Sequence, residues 1–250
     1  MNFPKRKQKI IEQLNHTGEV DIKQLAADLN SSEITIRRDL NQLAADGILY
    51  RTHGGATKVN PHEKPHSFVN KSAQNAAVKD AICRKAAAQI NDSDIIFMDC
   101  GSTVFRLCQF IKNKKIKVIT NSLPVIYELQ DCAVSVNIIG GELDKDRQAV
   151  HGTTAIEHIQ KYRATKAFLG IDGISETGLF ANGEHEASIT SAFAENSAYT
   201  YILCDSGKIG KETYLNFAAL NIINAIITDT DNDKVKALKE SGIAILKADA

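Results

Sequence analysis

Nowhere in the 250 residues does an apolar run approach the ~20 consecutive residues that a membrane-spanning helix needs. The longest runs, such as Ile222 to Thr228, are strand-sized, so no membrane partner is expected. The N-terminus is basic at Lys5, Arg6 and Lys7, but no apolar stretch follows. That argues against a secretory signal and leaves the cytoplasm as the expected compartment. Cysteine is sparse: five residues, Cys83, Cys100, Cys108, Cys132 and Cys204, with no C-x-x-C pair. An odd, scattered set suits neither a disulfide framework nor a zinc cage. These cysteines read as small core residues, with Cys100 excepted because it falls in a loop. Excess charge is also missing. Thirty Lys+Arg balance 30 Asp+Glu, and a net charge of zero supplies no bulk attraction to nucleic acid. The first 58 residues hold nine basic and seven acidic side chains, a mild bias. Any case for DNA binding must rest on pattern.

The pattern is there. A composition 43% hydrophobic and 24% charged is that of a globular protein, and the length admits two ordinary domains. In residues 1–58, Pro4 suits a first helical turn, and Ile10, Ile11 and Leu14 give an apolar stripe ending at His16-Thr17-Gly18. Asp21 is a good N-cap with Gln24 three residues on, followed by Ile22, Leu25, Ala26 and Leu29 on one face. After Asn30-Ser31, Ser32 can cap a third helix with Ile36, Leu40 and Leu43 inward and Gly47 as its stop. Two short helices joined by a polar turn place the second in a DNA major groove.

That phase turns Arg38 and Asn41 outward, with Thr35 and Arg37 on the flanks and Ser31 and Ser32 at the turn. Arginine can bond guanine bidentately, asparagine can pair with adenine, and hydroxyls can hold phosphate. Asp39 is expected to pair within the protein, since DNA phosphate would repel it. The segments Ile48–Thr52 and Ala56–Val59 flank His53-Gly54-Gly55 and read as a two-stranded hairpin, a wing carrying Arg51 and His53 near its tip. Taken singly, Arg37 and Arg38 read more readily as a solvated helix face, and His53 as a turn residue. The three phased helices and the Gly-Gly hairpin together reverse that balance.

The run Ser32-Glu33-Ile34-Thr35-Ile36-Arg37-Arg38-Asp39-Leu40 resembles the recognition-helix signature of the DeoR family of repressors. Arg6, Ile10 and Leu14 fit its upstream part, and Arg51-Thr52-His53-Gly54-Gly55-Ala56 resembles its wing.

Residues 59–71 contain Pro61, Pro65, His62 and His66 and few apolar side chains, which reads as a linker, and the two histidines as solvated rather than metal-binding. From residue 72 to 250 a helix, Ser72 to about Ile90, precedes seven short apolar runs separated by helical stretches: 95–99, 116–120, 134–139, 166–171, 199–205, 223–228 and 243–247. This predicts an α/β domain, a mostly parallel sheet with helices on both faces, whose ligand binds beyond the carboxyl ends of the strands. Those ends carry Asp99-Cys100-Gly101-Ser102-Thr103, Thr120-Asn121-Ser122, Gly140-Gly141, Asp172 and Asp205-Ser206-Gly207-Lys208, with Glu186 on an intervening helix. Small residues let backbone N–H groups converge on an anion, hydroxyls add donors, Lys208 adds a cation, and Glu186 can bind hydroxyls. Each motif alone reads as a tight turn or a surface lysine; five such loops at one sheet edge suit a small phosphorylated, hydroxylated ligand.

This half is similar to the sensor domain of DeoR-type regulators. The resemblance implies a ribose-5-phosphate-isomerase-like fold and recognition of sugar phosphates. Gly207 departs from the family, which more often has Ser-Lys there. The expected function is therefore a sequence-specific repressor of carbohydrate-metabolism genes, relieved by a phosphorylated sugar. A homodimer or homotetramer would set two heads on half-sites of a double-stranded operator. The alternative is a sugar-phosphate isomerase-like enzyme fused to a DNA-binding head, with Asp99, Asp172, Glu186 and Lys208 as acid–base groups. No motif pairs a base with an oriented partner, so no catalytic residue, metal or cofactor is expected.

Overall fold

The computed structural model describes residues 3–45, 48–51, 54–58 and 74–249. The chain divides into two compact units, Met1–Ala76 and Ala77–Ala250. In the first, the expected helices form as α1 (Phe3–Thr17), α2 (Ile22–Asp28) and α3 (Glu33–Ala45). Their inward stripes meet: Ile10, Leu25, Ile36, Leu40 and Leu43 are fully buried, each worth about 1.5–3 kcal/mol. Asp21 caps α2, accepting from the N–H groups of Lys23 (2.8 Å) and Gln24 (3.1 Å). The expected hairpin gains a strand. β1 (Glu19–Asp21), β2 (Leu49–Arg51) and β3 (Gly55–Lys58) form an antiparallel sheet in the order β1-β3-β2. Three residues with a single buried member, Val20, carry too little alternation to be read as a strand. Gly55 is what lets β1 in, because a Cβ there would lie 1.8 Å from the Val20 carbonyl oxygen.

In the second unit a helix, α4 (Ala76–Ala87), leads into the predicted sheet. The seven strands are β4 (Ile95–Met98), β5 (Lys117–Thr120), β6 (Ser135–Ile138), β9 (Lys166–Leu169), β12 (Thr200–Leu203), β14 (Ala225–Thr228) and β15 (Ala244–Lys247). They run in the order β15-β14-β12-β9-β4-β5-β6, every neighbouring pair parallel. Alternate residues face opposite layers. Ile96, Met98, Val118 and Leu203 pack under α4, α5 (Ser102–Arg106), α6 (Cys108–Ile111) and α7 (Leu123–Leu129). Phe97, Ile119, Leu169 and Ile226 pack under α8 (Thr153–Ile159), α9 (Glu184–Glu195) and α10 (Asp233–Glu240). Two small antiparallel sheets, unexpected from sequence, crown the carboxyl edge region: the pair β7 (Glu142–Asp144) and β8 (Ala149–His151), and the trio β10 (Gly173–Ser175), β11 (Gly178–Ala181) and β13 (Leu215–Ala218).

All five cysteines are free; Cys83, Cys108 and Cys204 are buried, while Cys132 joins Cys100 in being half-buried. Among the described residues no helix is long and apolar enough to cross a membrane, and no group of three His, Cys, Asp or Glu side chains could hold a metal ion. The linker expected at 59–71, with His62 and His66, lies outside the described residues.

Candidate functional site

Two surfaces carry the expected chemistry, one in each unit. In the first, burial of Ile36, Leu40 and Leu43 leaves Ser32, Arg37, Arg38 and Asn41 exposed, with Ser31 and Thr35 half-buried. Ser32 starts α3 as a cap: its Oγ accepts from Thr35 N (3.3 Å) and lies 2.9 Å from Thr35 Oγ1. Ser31 Oγ donates to the Leu29 carbonyl (3.1 Å), closing the turn. Arg37 lies 3.7 Å from Glu33, a solvated pair one turn apart. The inward carboxylate Asp39 does pair within the protein. Arg6 grips it through Nε (2.5 Å) and Nη2 (3.0 Å), tying α1 to α3. The hydrogen bonds to Asp39 raise the Arg6 guanidinium above its ordinary value. The side chain of Arg51 and the whole of His53 lie outside the described residues.

In the second unit, Asp99 fastens two loops together. One carboxylate oxygen accepts from Gly101 N (2.8 Å) and the other from Gly170 N (2.7 Å). A Cβ on Gly101 would sit 3.2 Å from Gly170 Cα and 2.9 Å from Asp99 Oδ1, so these loops meet backbone to backbone. Burial pushes the Asp99 carboxyl up to about 6, against the two amide bonds and the nearby charge of Lys208, and with the help of Asp172. Lys208 itself is half-buried and donates to the Ile171 carbonyl (2.5 Å). Its turn is pinned despite Gly207: Asp205 accepts from Gly207 N (3.0 Å), and Asp229 accepts from Ser206 N (2.7 Å). Asp172 accepts from Asn182 N (3.0 Å).

Ser102 and Thr103 are buried at the start of α5, and here an unexpected residue enters. Lys79, on α4 and only 4% exposed, donates from Nζ to Ser102 Oγ (3.2 Å). A signal for it exists in the sequence. Ala76, Lys79, Cys83, Ala86 and Ile90 recur at helical spacing, so a cation stands on the apolar stripe.

The remaining expected residues divide. Thr120, Asn121 and Ser122 are wholly buried and hold local structure: Thr120 Oγ1 accepts from Ser122 N (3.1 Å), Ser122 Oγ caps α7 through Val125 N (3.5 Å), and Asn121 Nδ2 donates to the Val150 carbonyl (2.9 Å). Gly140 is engaged by His158, its N–H donating to Nδ1 (3.1 Å), and Gly141 leads into β7. Glu186 forms an ion pair with Arg147, a partner that sequence reading did not single out. Nearby, burial lowers the basicity of His151 and favours its neutral form. Five described residues keep a buried side-chain polar atom with no hydrogen-bond partner, and three of them are expected ligand residues: Thr103 (Oγ1), Asn121 (Oδ1) and Glu186 (Oε2). Such atoms cost about 1–3 kcal/mol each unless something bonds them.

Comparison with known proteins finds a family model matching each part of the chain. Residues 6–62 match the family model described as the DeoR-like helix-turn-helix domain, and residues 74–230 match the DeoR C terminal sensor domain. The chain is 33% identical over 244 residues to the lactose phosphotransferase system repressor of Staphylococcus aureus (strain N315), covering 96% of this chain and 97% of that one. It is 29% identical over 245 residues to the HTH-type transcriptional regulator GlpR of Haloferax volcanii, covering 96% of each. Among solved structures, ribose 5-phosphate isomerase A from Methanocaldococcus jannaschii aligns with 54% of each chain at 17% identity and a TM-score of 0.40.

Proposed function

The chain belongs to the DeoR family of DNA-binding transcriptional regulators, and on that premise we propose that it represses carbohydrate-metabolism genes until a phosphorylated sugar binds its sensor domain. In this reading residues 1–58 are the DNA-binding head, 59–71 the linker and 72–250 the sensor. The head reads a double-stranded operator with Arg38 and Asn41, while Arg37, Ser31, Ser32, Thr35, Arg51 and His53 serve phosphate or flanking contacts. A homodimer or homotetramer supplies a second head.

The observation that carries the ligand assignment is the set of buried polar atoms at Thr103, Asn121 and Glu186. A polyol hydroxyl can donate to each of these oxygens. The phosphate belongs at the Ser102 loop, where the Lys79 ammonium meets Ser102 Oγ, and Lys208 adds positive charge toward Asp99. Asp99 acts here by clamping Gly101 to Gly170, which shapes the loop. Derepression requires that the sugar phosphate bind one arrangement of the protein more tightly than the other. The enzyme alternative is disfavoured, because a relative named as a repressor aligns over 97% of its own length.

A thermal-melt panel of sugar phosphates and their unphosphorylated parents tests the assignment. A ligand at ~100 times its Kd adds about 2.7 kcal/mol of stability. The expected result is a shift with one phosphorylated sugar, absent with its parent and lost in Lys79→Met. A parent sugar that shifts the melt equally would refute the phosphate assignment, and turnover of the sugar phosphate would revive the enzyme.

A further inference from the structure

On the outward face of α3 the large apolar side chain of Ile34 stands in solvent. Ile34 is 80% exposed, and the other exposed large apolar side chains among the described residues, Tyr127, Ile138, Leu143 and Tyr214, all lie in the sensor unit. A β-branched residue in an exposed helical turn buries little and lowers helix propensity slightly, so Ile34 contributes little to folding. Its neighbours in that turn are polar and engaged: Glu33 with Arg37 at 3.7 Å, and Thr35 with Ser32 at 2.9 Å. Ile34 precedes Arg38 by four residues and Asn41 by seven, so the three share one helix face. The first turns of a groove-bound recognition helix are the part that meets base edges. On those edges the principal apolar feature is the C5-methyl group of thymine.

We propose that Ile34 is a specificity-determining residue that packs against the C5-methyl of a thymine in the operator's major groove, beside the bases met by Arg38 and Asn41. The inference rests on the reading of α3 as the helix that enters the groove. It adds a chemical class to that reading: an apolar contact that selects A·T in one orientation, next to contacts that select by hydrogen bonding.

The test uses the full-length protein and a binding site recovered by selection from random-sequence duplexes. Each thymine of that site is replaced in turn by deoxyuridine, which keeps the base pair and removes only the methyl. Affinities are measured at one fixed salt concentration for the unmodified protein, Ile34→Ala and Arg38→Ala. The expected result is a thymine whose demethylation weakens the unmodified protein about fourfold, the worth of one buried methyl-sized group, and leaves Ile34→Ala unchanged. If no thymine is sensitive, or if Ile34→Ala shows the same sensitivities, the proposal is overturned. When Arg38→Ala still loses binding in that case, the groove reading of α3 survives and only Ile34 is removed from it. Should neither variant change affinity for DNA that the protein does bind, the groove reading falls and takes this inference with it. Ile34 makes no core contact, so a thermal melt of Ile34→Ala matching the unmodified protein is the accompanying control.

Discussion

Truncating Arg6 to alanine probes how the recognition helix is held, and its cost follows from the clamp's geometry. The guanidinium meets Asp39 through two nitrogens at 2.5 and 3.0 Å, and the two side chains are 12% and 5% exposed. Without Arg6 the carboxylate stays inside with no counter-charge, a situation that costs about 3–5 kcal/mol. A head of this size is held by roughly 3–9 kcal/mol in total, so the variant spends much of its stability. Hydrogen exchange of the α1 and α3 amides in the full-length protein reads this directly: a loss of about 3 kcal/mol accelerates the slowest of them by about 150-fold. Replacing both partners, Arg6→Met with Asp39→Leu, removes the stranded charge and should recover most of the protection. Acceleration below about threefold in Arg6→Ala, or a double variant worse than the single one, would refute the clamp.

Arg38→Ala should weaken operator binding by roughly 1–3 kcal/mol and relax preference at one base pair, measured by titration across single-base operator variants; unchanged affinity removes it from the interface. Lys208→Ala should abolish the response to ligand while leaving DNA binding without ligand intact, and loss of both would make Lys208 a structural residue. Asp99 gives a pH signature. Its carboxyl sits at about 6 in the fold against about 3.9 in an unfolded chain, so the fold binds the extra proton between these values. Stability from this group is therefore full below pH ~4 and falls by about 3 kcal/mol as pH rises to ~6. In denaturant titrations the difference between the unmodified protein and Asp99→Asn should shift by that amount across the window and flatten above it; a difference independent of pH would contradict the burial argument.

The parts that were legible in the sequence share a physical cause. Strands β4, β5, β9, β12 and β14 are covered on both faces, so they appear as continuous apolar runs that local reading detects. Helices α1 to α3 each repeat an apolar stripe at the right spacing. β1 and the pair β7–β8 were not legible, because strands of three residues owe their existence to partners elsewhere, such as Val20 opposite Ala56 and Leu143 opposite Val150. At the sensor site the polar loops were legible from their position after strands, yet their tasks were not. Asn121 and Ser122 spend hydrogen bonds on Val150 and on α7, contacts that only the fold creates. Lys79 was missed for the opposite reason. It hides in an apolar stripe, and a reading that lists only the apolar members of a helix passes over the charge among them.

Asp21 belongs to two structures at once. Its backbone pairs with Gly55 in the wing sheet, and its side chain caps α2. The wing and the helix-turn-helix therefore share a residue, and disorder in one loosens the other. A head built this way is expected to gain and lose DNA-binding competence as a unit. Damage to the wing strand should then lower the fraction of molecules able to bind, scaling affinity for every operator by the same factor and leaving the ranking of operators unchanged.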